Sequence, residues 1–273
     1  MLVSSKELLN SAKAKKIAIG AFNINNYEFA KGIILAAQEM KQDVIVQTTQ
    51  HAIDYASFKV LSSIVKSLAE DYDVKIVLHL DHGKDIKYVI NAIKYGWTSV
   101  MIDGSDLPYE QNVALTKAVV KIAHQAEIPV EGELGPIPKA TEKITKFTDP
   151  DQVEDFVNST DVDFLAVAIG NAHGIYSDPN PKINLDVLKK INKKVNIPLV
   201  MHGGSGLPDE QIKQAIQNGI SKINFDTELR IAFSNALENY FKKEPGSYNV
   251  RTFLTESINS VKEKVKEKMK ILN

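Results

Sequence analysis

Three of the six histidines in this 273-residue chain sit in short turns: His82 in LDHG, His173 in NAHG and His202 in HGGSG. Imidazole is the commonest metal-binding side chain, and three of them with an open fourth position make a catalytic zinc geometry. The chain has no cysteine. That removes disulfides, thiolate metal sites and a cysteine nucleophile together, so a metal must bind His, Asp or Glu. Taken singly, each of these histidines reads more readily as a capped loop residue; three converging in such turns read as a metal site. Asp81 precedes His82 and is placed to act as a base beside the metal. Asp103 and Glu133 offer oxygens that orient the histidines or hold a second metal position; each reads equally well as a strand-end carboxylate bonded to backbone amides. His124 reads as a surface residue of a helix, His51 as a pocket lining, and His79 as a packing or hydrogen-bonding neighbour of Asp81.

Residues this far apart in sequence meet only if the fold brings them together. Eight short apolar, β-branched runs recur along the chain, at 17–22, 44–48, 74–80, 98–103, 128–134, 163–169, 197–202 and 221–225. Several are almost continuously hydrophobic, as parallel strands covered on both faces are. The segments between them have helical periodicity; PDEQIKQAIQNG has a proline near its start and a glycine at its end. Eight strand-helix units in about 250 residues predict a (β/α)8 TIM barrel, with an additional C-terminal helix over 252–272 and a single domain over 1–273. A doubly wound open sheet is the alternative, although it usually uses fewer strands.

In such a barrel the active site is built at the C-terminal ends of the strands. There the sequence places Asn23 and Asn25, Thr48 and Thr49, Asp81 and His82, Asp103, His173, His202, Asn224 and Asp226, with Glu131 and Glu133 inside the fifth run. HGGSGLP and the Asn-Phe-Asp-Thr turn at 224–227 suit a phosphate, because glycine lets backbone N–H groups approach and a helix N-terminus adds partial positive charge.

With 33 basic and 34 acidic residues the formal net charge is -1, so bulk charge points to neither nucleic acid nor an anionic membrane. An anionic substrate must be held locally. The first sixteen residues predict a short amphipathic helix and not a signal peptide, and no run nears the roughly 20 apolar residues of a membrane span. A cytoplasmic location is expected. GPIPKATEKITKFTDP, after the fifth run, has neither strand nor helix character, and a connection of that length usually carries function.

AFNINNYE, HLDHG, TSVMIDGS, NVALTK, VEGELG, LAVAIGNAHG, HGGSGLPDEQI, KINFDTELRIAF and Arg251 in YNVRTF together resemble the class II fructose-bisphosphate aldolases along nearly the whole chain. The resemblance implies zinc on His82, His173 and His202, Asp81 as acid/base at the C4 hydroxyl, and Asn224 helping to hold the enediolate. It implies one phosphate cradled by Gly174, Gly203, Ser205, Asp226 and Thr227, with Asn23 and Thr49 also on the substrate. Arg251 of a neighbouring subunit would reach the other phosphate, hence a homodimer or homotetramer. A monovalent cation, Na+ or K+, near the phosphate turn is also implied.

Two stretches depart from the family. ELG is followed by PIPKATEKITKF where the family has a glycine pair and an acidic cluster, leaving Glu142 as the acidic residue able to substitute in proton transfer. QTTQHA replaces a more usual serine and glycine. Tagatose 1,6-bisphosphate is the close alternative substrate. A Schiff-base aldolase using Lys222, and a zinc-binding barrel without turnover, are the alternatives of other kinds.

Overall fold

The computed structural model describes all residues except 143, 145 and 179, the first two of which fall in the unusual segment after the fifth run. Among the described residues eight parallel strands close in sequence order into a barrel. They are β1 (Ile19–Asn23), β2 (Val44–Thr48), β3 (Ile76–Gly83), β4 (Ser99–Ile102), β5 (Val130–Leu134), β6 (Phe164–Val167), β7 (Leu199–Met201) and β8 (Ile220–Phe225). Each lies in or across one of the eight predicted runs. Helix α1 (Ser5–Lys15) precedes the barrel. The connections carry α2 (Tyr27–Met40), then α3 (Gln50–Ala56) with α4 (Phe58–Asp71), then α5 (Ile86–Tyr95), α6 (Tyr109–Gln125), α7 (Pro150–Thr160), α8 (Leu185–Lys194) and α9 (Asp209–Gln217). After β8 come α10 (Thr227–Lys243) and the additional C-terminal helix α11 (Val250–Met269), which packs on α2 and α10.

The alternation of strand side chains divides the protein into two apolar layers. Residues such as Val44, Val46, Leu78 and Leu165 face outward against the helices, while Ile19, Ala21, Ile45, Val77, Met101, Phe164 and Val200 face inward. Leu8, Leu9 and Ala12 of α1 join the inward set, so the N-terminal helix plugs the barrel and its apolar face is buried there. Between this plug and the barrel mouth lies a polar layer. Lys222 donates to Glu131 (2.8 Å) and lies 3.4 Å from His79 Nε2, while His79 Nδ1 pairs with Ser99 (2.8 Å), whose hydroxyl accepts from Ser5 of α1 (2.8 Å). Burial of charge is tolerated here because each charged group has a partner.

Strand β3 departs from its predicted extent in a way that shapes the site. The third run was expected to stop at Leu80, with Asp81 and His82 following it, but β3 continues to Gly83 with a register shift against β4 between Leu80 and Gly83. His82 takes φ 51°, the left-handed region that few non-glycine residues adopt. A regular strand sends neighbours to opposite faces; this bulge turns both Asp81 and His82 toward one cavity.

Candidate active site

His82 on β3, His202 just past β7 and His173 in the loop after β6 meet at the barrel mouth. One ring nitrogen of each lies within 4.8 Å of the others, and the ring centroids stand 4.6 to 5.7 Å apart. Two rings have their tautomer and orientation set by carboxylates. His82 Nδ1 lies 2.8 Å from Asp103 Oδ2, and His202 Nε2 lies 2.9 Å from Glu131 Oε1. The opposite nitrogens, His82 Nε2 and His202 Nδ1, are buried without a hydrogen bond, as is Glu133 Oε2, which stands 3.5 Å from His202 Nδ1. Buried polar atoms of this kind are costly unless something binds them. The three nitrogens fit a divalent ion of the zinc type, and those of His82 and His202 are each backed by a bonded nitrogen on the same ring, as in metal-binding imidazoles. His82, Asp103 and Glu133 form a second cluster of metal-type donors.

The electrostatics put the cluster's proton on His82. Burial alone would lower its pKa, but Asp81, Asp103 and Glu133 outweigh that and raise it to about 9. His173 falls to about 4 through burial and the neighbouring His82 charge, and His202 is held well below its ordinary value for the same reasons. Burial and the Asp103 charge push Glu133 up to about 8. Burial would raise Asp103 as well, but His82 and Lys84 hold it below the ordinary carboxylate range.

Asp81 is buried and gripped from three strands. Its Oδ2 accepts from Asn23 (2.9 Å) and Gln47 (3.2 Å), and its Oδ1 accepts from Asn224 (3.1 Å). Burial opposes ionisation, yet the charges of His82 and Lys222 and the Asn23 bond bring its pKa below the ordinary value. A carboxylate so held is ionised and fixed in direction, which a proton acceptor requires.

Beyond the imidazoles, one side of the cavity is lined by Gly174, Gly203, Ser205, Asp226, Thr227 and Arg230. Gly203 has φ +66°, and a Cβ there would sit 2.1 Å from the carbonyl oxygen of Ala172. The Tyr176 hydroxyl stitches the two glycine turns together, accepting from Ala172 N and donating to Gly203 O, both at 2.9 Å. Ser205 Oγ accepts from the backbone N–H of Asp226 and of Glu228 (3.4 Å each), so the turn after β7 caps α10. The positive end of α10 thereby opens onto the cavity. Arg230 lies 3.0 Å from Asp226, whose carboxyl burial pushes above its ordinary value.

The structure thus gathers Asn23, Thr49, Asp81, His82, His173, Gly174, Gly203, Ser205, Asn224, Asp226 and Thr227 around one cavity, with His202 completing the imidazole trio and Asp103 and Glu133 beside His82. Two predicted site residues stand apart. Glu142 is exposed and lines a neighbouring cleft with Asp106, Pro136 and Lys146. The reason is local: His173 N donates to Pro138 O (2.9 Å) and Ala140 N to His173 O (2.7 Å), which pins 138–140 beside His173 before the chain reaches Glu142. Arg251 lies in the surface cleft formed by 247–251, in the first turn of α11. Lys222, the alternative nucleophile, is 1% exposed and committed to Glu131 below the cavity floor. His79 bonds to Ser99 and not to Asp81.

Sequence reasoning assigned no role to Gln47, Glu131, Lys84 or Tyr176. A glutamine in the otherwise apolar VIVQT and a glutamate inside the fifth strand are polar residues in buried runs, the signal that marks such partners. Lys84 and Tyr176 carried no comparable signal.

The family model described as Fructose-bisphosphate aldolase class-II matches residues 3–273. The fructose-bisphosphate aldolase of Geobacillus stearothermophilus is 41% identical over 276 residues, covering 98% of this chain and 96% of that protein. The D-tagatose-1,6-bisphosphate aldolase subunit GatY of Klebsiella oxytoca is 38% identical over 272 residues, covering 97% and 95%. Among solved structures, the YdjI aldolase from Escherichia coli K12 superposes with a TM-score of 0.90 at 38% identity, covering 100% of this chain and 98% of that one.

Proposed function

The chain belongs to the class II fructose-bisphosphate aldolase family, and from that premise we propose that it is a zinc-dependent enzyme cleaving fructose 1,6-bisphosphate to dihydroxyacetone phosphate and glyceraldehyde 3-phosphate. The observation that carries the proposal is the pair of buried nitrogens on His82 and His202 that make no hydrogen bond, each backed by a carboxylate on its other nitrogen and grouped with His173. An all-nitrogen set of three with room for a fourth ligand favours zinc over the hard, oxygen-seeking magnesium or calcium. Bound there, zinc would supply Lewis-acid polarisation of the ketose C2 carbonyl.

This chain's own residues divide the remaining work. Asp81 takes the proton of the C4 hydroxyl as the C3–C4 bond breaks. Asn23, Gln47 and Asn224 fix its carboxylate, so that little reorientation is needed at the moment of transfer. Glu131, itself held by Lys222, keeps a proton on His202 Nε2 and leaves Nδ1 as the donor. The turn at 203–206 and the N-terminus of α10 hold the phosphate of the ketone half. The role of Glu142 in proton transfer implied by the resemblance finds no support in its exposed position.

Tagatose 1,6-bisphosphate differs at one stereocentre, which a site discriminates modestly, and the Klebsiella relative keeps it in view. The decisive experiment is metal content together with cleavage of both bisphosphates, with and without chelator. About one zinc per chain, with chelator-sensitive turnover faster on the fructose compound, is expected. Faster tagatose turnover would reassign the substrate, and turnover indifferent to chelator would overturn the metal reading. Zinc without turnover would leave a binding barrel.

A further inference from the structure

The cavity has a second arm. Beyond Thr49, His82 and His173, which both arms share, it continues toward His51, Lys84, Ile137 and Lys139 as a cleft of about 390 Å3. With the ketone-half phosphate at the 203–206 turn and the C4 hydroxyl at Asp81, the far carbons of a six-carbon ketose run into this second arm. Whatever lines it reads the aldehyde half of the substrate.

The charges there are unequally committed. Lys84 is spent on Asp103 (2.8 Å) and Asp106 (3.1 Å), and Asp103 also takes His82 and both donors of Ser105. Lys139, in contrast, makes no ion pair among the described residues. Its backbone is nonetheless fixed. Lys139 and His173 form an isolated parallel bridge, closed by the bonds of Pro138 and Ala140 to His173. Pro136 and Pro138 restrict the chain on its N-terminal side, and Ala140 is buried. Paired residues across such a bridge project to the same face. Because the His173 ring faces the cavity, the Lys139 side chain stands over it too, a rigidly anchored base carrying a free ammonium on a flexible four-carbon stem.

We propose that Lys139 is a substrate-binding residue that selects ketoses and aldehydes ending in an anion, phosphate or carboxylate, at the carbon farthest from the cleaved bond. The inference rests on the aldolase reading above and adds the recognition of the aldehyde end from within the same chain.

The test is condensation of dihydroxyacetone phosphate with three aldehydes by the metal-loaded enzyme: glyceraldehyde 3-phosphate, 4-oxobutanoate and neutral D-glyceraldehyde. A charge-assisted contact predicts that Lys139→Met raises KM about 10- to 100-fold for an anionic aldehyde. It should leave kcat and KM for D-glyceraldehyde within about twofold, as expected for a contact the neutral substrate does not make. Lys139→Arg should restore most of the preference. A rise confined to one anionic aldehyde supports the proposal and names the anion. Equal losses on all three aldehydes, or no loss on any, overturn it, the former by showing that Lys139 acts only through its bridge to His173. If the unaltered enzyme joins none of the three, the aldolase reading falls and takes this inference with it; selectivity unchanged in an active Lys139→Met enzyme sinks this inference alone.

Discussion

The two sides of the cavity are built from different materials. The side running from β6 to β8 is made of backbone: Gly203 pressed against the Ala172 carbonyl, Tyr176 tying two turns, and Ser205 capping α10. The side running from β3 to β5 is made of side-chain ends: Lys84 on Asp103 and Asp106, Asp103 on His82, and Lys139 lining the same cleft as His82 and His173. Backbone contacts leave no room for an added carbon atom, whereas charged side-chain ends can be exchanged without moving the chain. A site made this way holds one half of its substrate by invariant geometry and the other half by residues open to replacement. The relatives reported above, named for two different bisphosphates, fit a scaffold divided along that line.

Asp81 stands where the two sides meet, and its substitution gives the largest expected effect. Asp81→Asn should lower kcat for fructose 1,6-bisphosphate cleavage about 10^2- to 10^4-fold with bound zinc retained. A loss below tenfold in steady-state assays would move the base elsewhere. Gly203→Ala probes the backbone side directly. With φ +66° and a carbonyl 2.1 Å from the new Cβ, it should cost about 3 kcal/mol or more in chemical denaturation.

The charged side should respond to pH. His82 holds its proton up to about 9, and a metal binds only the neutral ring, so zinc affinity should fall about tenfold for each unit from pH 8.5 to 7. Competition against a chromophoric chelator measures this; a flat profile would show that no proton leaves His82. In metal-free protein the same raised pKa contributes stability that is complete below about 6.5 and is lost as pH rises through about 9. The smallest effect is expected at Ile137, half-buried in the second arm. Ile137→Ala should shift stability by less than about 1 kcal/mol, and a loss equal to that of Gly203→Ala would erase the distinction between the two sides.

The barrel was legible in the sequence because parallel strands buried on both faces leave apolar runs, and all eight did. Their ends were less legible, since register with neighbouring strands sets them: the first run, 17–22, became Ile19–Asn23 by pairing with β2 and β8. The meeting of His82, His173 and His202 followed from residue type and strand-end placement. What the sequence did not reveal were partnerships between distant strands. Glu131 serves His202, 71 positions away, and Lys222 serves Glu131 across 91; no local pattern encodes such pairings. The segment after β5 hid a partnership of the same kind: Pro138 lends its carbonyl to His173, and Glu142 lies outside the cavity.

The bulge in β3 has a consequence for how this site can change over generations. On a regular strand two inward residues are separated by one that faces out, and each can be replaced or repositioned without disturbing the other. Here the carboxylate and the imidazole are adjacent letters, presented together by one left-handed residue between Leu80 and Gly83. Insertion or deletion of a single codon in that interval would return the strand to simple alternation and turn one of the two away. Asp81 and His82 are therefore inherited as one unit, bound by the spacing of the chain as much as by the chemistry proposed for each.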